Sequence, residues 1–253
     1  MALQVERNAP LAGKVALVTG GSRGIGAAIA NRLAADGASV AITYSKDADA
    51  ASSVVKEIER GSGKAIAIQA NAADAEAVRN AVEMTVTTLG RLDVLVNNAG
   101  IAIPKPFEEA TLEEMDRVIN INIRGVLVTT QAALKHMKSG GRIIMIGSAV
   151  GERVAAPGLV PYAATKGAVK MFSQALAREI GSRGITVNNV QPGPIDTELN
   201  PATGEWAVPQ KAATALDRYG QVDEIAAMVA FIAGPESSYI TGANLTVDGG
   251  MNA

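Results

Sequence analysis

The stretch that decides the fold runs from residue 14 to residue 26 and reads K-V-A-L-V-T-G-G-S-R-G-I-G. An apolar, β-branched run ends there in a cluster of glycines, and a helical pattern follows at once. Gly20 permits a tight turn, Gly24 lets the backbone approach a pyrophosphate, and Gly26 allows the helix to pack closely on a sheet. The free N–H groups at the start of the helix would face the phosphates. This setting predicts a dinucleotide-binding turn, with an ordinary glycine-rich turn as the alternative.

Short apolar strands alternate with longer helical patterns along almost the whole chain. Strands are predicted at residues 14–19, 40–43, 64–70, 92–97, 142–148, 186–190 and 244–247. Helices are predicted at residues 24–36, 49–60, 75–89, 112–137, 162–181 and 222–233. Repeated βα alternation with apolar strands implies a parallel sheet covered on both faces, and right-handed crossovers make it doubly wound. We therefore expect an α/β fold with a single domain over residues 1–253, a Rossmann-type sheet of about seven strands, and an N-terminal extension over residues 1–10.

Composition narrows the functional classes. The 253 residues are 48% hydrophobic and 19% charged, which permits a large two-sided core. A net charge of −2 without a basic block argues against a nucleic-acid partner. The sequence has no cysteine and only one histidine, His136, which argues against thiolate chemistry, a Ser-His-Asp triad and a metal centre. Since no secretory signal or membrane-length apolar run is visible, the expectation is a cytoplasmic protein without a membrane partner.

A second motif places Tyr162 four residues before Lys166, and Ser148 ends the fifth predicted strand upstream. A spacing of four on a helix stacks the phenol and the ammonium group on one face. A fixed cation favours ionisation of a phenol, whose pKa is normally about 10, so such a tyrosine can exchange a proton with an alcohol or carbonyl oxygen. Taken alone, the pair is also typical of a surface lysine beside a half-buried tyrosine.

The end of the second predicted strand bears on cofactor choice. NAD-binding sheets usually place an acidic residue there to hold the ribose 2′-hydroxyl group, whereas residues 43–46 read T-Y-S-K. Arg23 and Lys46 are placed to face a 2′-phosphate, and Ser45 to donate a hydrogen bond to it. The alternative is that both cations are solvated surface charges. The missing carboxylate favours NADP over NAD.

With these features together, the chain resembles the short-chain dehydrogenase/reductase family from about Leu11 to the C-terminus. Four signatures match in order: Thr19–Gly26, the N-N-A-G run at residues 97–100, Ser148 with Tyr162 and Lys166, and Pro192 with Gly193. The 3-oxoacyl-[acyl-carrier-protein] reductase-like branch is the most similar. Its likeness rests on Y-A-A-T-K-G-A at residues 162–168, R-G-I-T-V-N at 183–188 and D-G-G at 248–250.

The resemblance assigns four catalytic roles. Tyr162 resembles the general acid/base, and Lys166 resembles the residue that lowers the pKa of that tyrosine and holds the nicotinamide ribose. Ser148 matches the hydroxyl that stabilises the reacting oxygen. Asn122 matches the asparagine that positions a water for proton relay, with Asn120 as a competing candidate two residues earlier.

The resemblance also implies a set of cofactor contacts at the glycine turn and at the ends of strands two, three, four and six. They are Gly20, Ser22, Arg23, Gly24, Ile25, Gly26, Tyr44, Ser45, Lys46, Asn71, Ala72, Asn98, Ala99, Gly100, Tyr162, Lys166, Pro192, Gly193, Ile195 and Thr197. In this set, Asn71 is expected near the adenine amino group, residues 98–100 beside the adenine ribose, and Ile195 and Thr197 at the carboxamide. A structural role is expected for Asn97.

These roles imply an NADPH-dependent reductase that transfers a hydride to a ketone or 3-oxoacyl carbonyl, reversibly. Two alternatives stay open: an NAD-linked alcohol or sugar dehydrogenase, and a non-catalytic dinucleotide-binding regulatory protein. No metal is required.

The substrate side is less determined by the sequence. Residues from about 194 to 215 are expected to form a substrate lid, in which Trp206 is either a substrate wall or an anchor of the loop. Docking of an acidic carrier protein needs a basic surface near the site, and the candidates are sparse: Lys135, Lys138, Arg142 and Arg183. A general carbonyl reductase is therefore as consistent with the sequence as a reductase of carrier-bound acyl chains.

The resemblance further implies a homotetramer in which helices 112–137 and 162–181 pair between subunits.

Overall fold

The computed structural model describes residues 9–253, so most of the expected N-terminal extension lies outside the described residues. Seven strands form one sheet: β1 (Val15–Val18), β2 (Ser39–Tyr44), β3 (Ala65–Gln69), β4 (Val94–Asn97), β5 (Arg142–Ile146), β6 (Thr186–Pro192) and β7 (Asn244–Val247). Their order is β3-β2-β1-β4-β5-β6-β7. Neighbouring strands are parallel throughout. The predicted doubly wound α/β fold is confirmed.

The helices connect these strands and cover both faces of the sheet. They are α1 (Gly24–Ala35), α2 (Ala48–Arg60), α3 (Ala75–Leu89), α4 (Leu112–Ile119), α5 (Val126–Ala133), α6 (Val160–Ile180), α7 (Ala207–Ala212) and α8 (Val222–Ala233). Side-chain alternation along the strands divides the core. Ala16 and Val18 of β1 belong to the cluster that contains α1, α2 and α8, whereas Leu17 belongs to the cluster that contains α3, α5 and α6.

The single helix predicted over residues 112–137 is wrong in two respects. A π-helical turn, Asn120–Gly125, separates α4 from α5, and α5 ends at Ala133. Gly125 ends the turn against neighbouring backbone, since a Cβ there would overlap the carbonyl of Ala72. The π turn also directs the Asn122 side chain onto the backbone of Ile101. Such turns often occur at functional sites.

The irregular stretch expected as a lid contains more order than the sequence suggested. The short helix α7 lies within it, and Ile195 forms an isolated bridge with Gly220. Paired amide groups join Asn200 to Gln210, with Asn200 Nδ2 donating to Gln210 Oε1 at 2.9 Å. The segment is therefore folded, with a backbone bridge at its start and a side-chain hydrogen bond to α7.

The position of the site follows from strand order. β1 lies between β2 and β4, so the chain reverses its direction of winding there. In open α/β sheets, ligands bind in the crevice at the carboxyl ends of the strands beside such a reversal.

Candidate active site

The glycine turn after β1 has a shape that only glycine supports. Gly20 has φ 63° and Gly24 has φ 52°, both in the left-handed region. A Cβ at Gly26 would overlap the carbonyl of Gly20. Helix α1 begins at Gly24, and its N-cap residue, Arg23, makes no side-chain capping bond. The first N–H groups of α1 are thus open to a phosphate, and the turn fits a dinucleotide pyrophosphate.

Two threonines, neither of which was assigned a role from the sequence, hold this turn in place. The Thr43 hydroxyl accepts a hydrogen bond from the Gly20 N–H at 3.0 Å. The Thr19 hydroxyl accepts the N–H groups of Asn98 at 2.9 Å and Ala99 at 3.0 Å. Asn98 Nδ2 donates to the carbonyls of Thr19 and Gly20. Asn98 and Ala99 therefore brace the turn from β4. The sequence signal that could have indicated this role is the presence of a threonine hydroxyl at the end of each of two adjacent strands.

A cavity of about 390 Å³ opens between the glycine turn and α2. It is lined by Ser22, Arg23, Gly24, Asp47, Ala50, Ser53, Val54, Glu57, Arg60 and Glu198. The structure thus brings Arg23 and Ser22 together here, while Ser45 and Lys46 lie on the exposed surface beyond β2 and Tyr44 is half-buried. Glu198 was missed by sequence reasoning, since 175 residues separate it from Arg23.

Ser148, Tyr162 and Lys166 converge beyond the end of β5. Ser148 caps a short 3-10 turn, and its hydroxyl accepts the N–H of Val150 at 3.2 Å. Tyr162 lies in the first turn of α6, one helical turn before Lys166. The Lys166 Nζ atom lies 5.5 Å from the centroid of the Tyr162 ring. The same Nζ atom donates to the carbonyl of Ile146 at 2.7 Å.

The pKa of Tyr162 is shifted in a direction that the sequence did not indicate. Burial raises the pKa of Tyr162, and the hydrogen bond with Ser148 opposes that shift. The net shift of the Tyr162 pKa is therefore opposite to the one expected from a neighbouring cation, because desolvation of the phenolate is the larger effect. The contribution of Lys166 to the pKa of Tyr162 stays a prediction. Burial also lowers the pKa of Lys166 to about 8. At neutral pH the phenol is protonated, as a general acid must be, and Lys166 is mostly cationic.

Asn122 is 2% exposed and uses both of its amide hydrogens within the protein. Its Nδ2 donates to the Ile101 carbonyl at 2.9 Å and to the Thr165 hydroxyl at 3.1 Å. Its Oδ1 accepts the Ile101 N–H at 2.9 Å. A Cβ at Gly100 would lie 3.4 Å from this Oδ1 atom and 3.7 Å from Lys166 Nζ, so the three residues meet at one place. The competing candidate Asn120 instead caps α4.

The remaining strand ends are arranged as follows. Asn71 Oδ1 accepts the N–H of Ala73 at 3.1 Å, which engages the acceptor that was expected to face adenine. Asn97 Nδ2 donates to the hydroxyl of Thr130 at 2.9 Å inside the core. Pro192 ends β6, and the Gly193 N–H donates to the carbonyl of Val247 at 3.0 Å.

The segment expected to form a lid begins close to the glycine turn. Ile195 is buried at 5% exposure. The Thr197 methyl group lies 3.6 Å from where a Cβ of Gly24 would be. Trp206 is 55% exposed, which does not fit its alternative role as an anchor in the protein body. Trp206 thus presents an exposed aromatic ring on this segment.

The basic residues considered for carrier-protein docking lie away from the site. Arg142 begins β5, whereas Ser148 follows the opposite end of that strand. Arg142 is also only 8% exposed, and its Nη1 donates to the carbonyls of Gly140 and Gly141. Arg183 Nη2 donates to the carbonyl of Leu134 at 2.8 Å. These arginines stabilise turns at the amino-terminal edge of the sheet.

Within residues 9–253, no group of three or more His, Asp or Glu side chains is arranged to hold a metal ion. None of the helices in the same range has the length and apolarity needed to cross a membrane.

Comparison with known proteins places this geometry among nucleotide-dependent reductases. Residues 20–252 match the family model described as enoyl-(acyl carrier protein) reductase. The chain is 44% identical to the cyclic-di-GMP-binding biofilm dispersal mediator protein of Escherichia coli, over 95% of this chain and 98% of that protein. It is 43% identical to a 3-oxoacyl-[acyl-carrier-protein] reductase of Synechocystis, over 95% and 98%. A short chain dehydrogenase from Burkholderia cenocepacia, solved in complex with NADP, is 53% identical, with a TM-score of 0.95 and coverage of 96% of this chain and 100% of that one.

Proposed function

This chain belongs to the short-chain dehydrogenase/reductase family, and on that premise we propose that it reduces a ketone with hydride from NADPH, with Tyr162 as the general acid. One observation supports this proposal above all others. The Ser148 side chain lowers the pKa of Tyr162 against the effect of burial, and Lys166 Nζ lies 5.5 Å from the centroid of the Tyr162 ring, so the three side chains meet at one place. This group stands at the carboxyl end of β5, on the same edge of the sheet as the glycine turn.

The side chains have separate tasks in this reaction. The bound cofactor supplies the hydride. Ser148 and Tyr162 donate hydrogen bonds to the carbonyl oxygen, where negative charge develops, and Tyr162 then gives up its proton. Lys166 stabilises the phenolate that remains. Asn122 holds the loop at Ile101 against α6 through Thr165, which fixes the wall of the site behind Lys166.

Cofactor preference is proposed to depend on the residues around Arg23. Its guanidinium group lines the cavity beside α2, and Asp or Glu is absent from the end of β2, where residues 43–46 read T-Y-S-K. A guanidinium group can bind a 2′-phosphate through two parallel hydrogen bonds. NADP is therefore preferred over NAD in this proposal. The similar short chain dehydrogenase from Burkholderia cenocepacia was solved in complex with NADP, which supports the preference for NADP.

The substrate is proposed to be a free, moderately apolar ketone rather than a carrier-bound acyl chain. Leu199 is 72% exposed and Trp206 55% exposed on the lid, which gives the mouth of the site an apolar rim. Arg142 and Arg183 lie at the other edge of the sheet, where they cannot help to dock an acidic carrier protein beside the site.

A panel of ketones and acyl thioesters, each assayed with NADPH and with NADH, tests the proposed function. We expect turnover of free apolar ketones with NADPH, and at least tenfold lower kcat/KM with NADH. A preference for NADH would select the alcohol or sugar dehydrogenase instead. Turnover of carrier-bound thioesters alone would overturn the substrate class. Binding of cyclic-di-GMP without turnover of any substrate would favour the regulatory alternative, since the similar Escherichia coli protein is a cyclic-di-GMP-binding biofilm dispersal mediator.

We also propose that the chain assembles as a homotetramer through α5 and α6. Leu127 on α5 is 41% exposed and Met171 on α6 is 60% exposed, and Ala164 on α6 is a small exposed residue that permits close approach. Exposed apolar side chains on helices that cover the same face of the sheet are typical of an interface between subunits.

Met171→Glu is expected to shift the protein from tetramer towards dimer or monomer, because it places a charge in the proposed interface. Sedimentation velocity measures the change. Met84→Glu is the matched control, since Met84 is 51% exposed on α3 and should leave the assembly intact. A monomeric wild-type protein, or equal effects of both substitutions, would contradict the assembly.

A further inference from the structure

An ion pair joins the glycine turn to the first residues of the lid. Arg23 Nη1 lies 3.5 Å from Glu198 Oε2, and both side chains are largely exposed. One residue earlier, Thr197 packs on Gly24. The lid thus begins on the turn that is proposed to bind the cofactor phosphates.

The cavity beside α2 contains three carboxylates, and their partners differ. Asp47 accepts the N–H of Ala50 at 2.9 Å, as the cap of α2. Glu57 accepts from Asn31 Nδ2 at 2.9 Å. Glu198 is instead paired with Arg23, the cation that is proposed to bind a 2′-phosphate. Two anions at one guanidinium group repel each other, so a carboxylate held there disfavours a phosphate dianion at the same group.

We propose that Glu198 is a specificity-determining residue that competes with the 2′-phosphate of NADP for Arg23, so that choice of cofactor and position of the lid are coupled. This inference rests on the proposed NADP-dependent function. Binding of a 2′-phosphate would draw Arg23 away from Glu198 and leave the carboxylate repelled by the new negative charge. NAD has no such phosphate and would leave the pair in place.

Release of Glu198 would be transmitted into the lid over a short path. Thr197 and Asn200 form a bridge that encloses Glu198, and the Thr197 hydroxyl accepts the N–H of Asn200 at 3.2 Å. Asn200 is bonded in turn to Gln210 in α7 and to the Tyr219 hydroxyl. A movement at Glu198 would therefore reach α7, which follows the single tryptophan, Trp206.

The test compares NADP⁺ and NAD⁺ binding to the wild type and to Glu198→Gln, by calorimetry and by Trp206 emission. We expect the affinity of Glu198→Gln for NADP⁺ to rise about two- to fivefold, the range expected for exposed charge pairs, while its affinity for NAD⁺ changes less. The gain should shrink at 0.5 M salt, since exposed charges are screened. NADP⁺, unlike NAD⁺, should change Trp206 emission in the wild type. Glu205→Gln is the matched control on the same lid and should match the wild type.

A double-mutant cycle identifies the mechanism. In an Arg23→Gln background, Glu198→Gln should no longer improve NADP⁺ binding. Equal gains for NADP⁺ and NAD⁺, or the same gain without Arg23, would overturn the inference while leaving the proposed function intact. A wild type that bound neither cofactor would overturn both.

Discussion

Replacement of Tyr162 by Phe is expected to lower kcat/KM for ketone reduction by about 10²- to 10⁴-fold, the usual contribution of a positioned general acid. The substitution removes one hydroxyl, and with it both the proton donor and one hydrogen bond to the developing alkoxide. The ring remains, so its contact with Lys166 at 5.5 Å is retained. Initial-rate assays with NADPH at several ketone concentrations measure the loss.

Cofactor affinity separates a chemical effect from a structural one. Tyr162→Phe should bind NADPH within about twofold of the wild type, since its binding depends mainly on the glycine turn and Arg23. Tyr239→Phe removes the same atom from a fully exposed ring and serves as the control. Reduction by Tyr162→Phe at the wild-type rate would rule out the proposed mechanism.

Much of the fold was predictable because its signals are local. Strand β7 and helices α3 and α8 were predicted to the residue, since each helix has a strong start signal. Asp74 caps α3 by accepting two backbone N–H groups, and Gln221 with Glu224 forms a capping box at α8. The alternation of strands with crossover helices then predicted a doubly wound parallel sheet.

The π turn at Asn120–Gly125 was not predictable from periodicity. It brings Gly125 against the carbonyl of Ala72, a residue about 50 positions earlier, where no side chain would fit. The pair of Arg23 and Glu198 is likewise non-local, and nothing in either neighbourhood marks the other residue. Contacts of this kind depend on tertiary packing, which local patterns do not encode.

Sequence order predicts the edge of the sheet at which a basic residue lies, but not whether that residue is buried. Residues that precede a parallel strand lie at the edge opposite the site, so Arg142, at the start of β5, could have been placed there from the topology alone. The burial of Arg142 could not be predicted in this way, because its guanidinium group contacts the carbonyls of the turn at Gly140 and Gly141. The direction of the Tyr162 pKa shift was missed for the same reason, because desolvation depends on the packed surroundings.

Lys166→Met is expected to change the pH dependence of stability in a defined direction. Burial lowers the pKa of Lys166 from its ordinary value of 10.5 to about 8 in the folded protein. Between these two values the unfolded chain binds more protons than the folded one, so the Lys166 contribution to the free energy of unfolding rises with pH. Below pH 8 both states are protonated, and the folded state bears the full cost of a buried charge. That cost is on the order of 3 kcal/mol.

The methionine variant lacks this titration but retains most of the buried side-chain volume. We therefore expect the free energy of unfolding of Lys166→Met, minus that of the wild type, to be constant below pH 8 and to fall as pH rises from about 8 to 10.5. Urea denaturation at several pH values measures this difference. Lys170→Met, which removes a more exposed lysine paired with Glu152 on the same helix, should show a much smaller change over that range. If the wild-type and Lys166→Met curves ran parallel from pH 7 to pH 10.5, Lys166 would have an ordinary pKa in the folded protein, and burial would not destabilise its charged form.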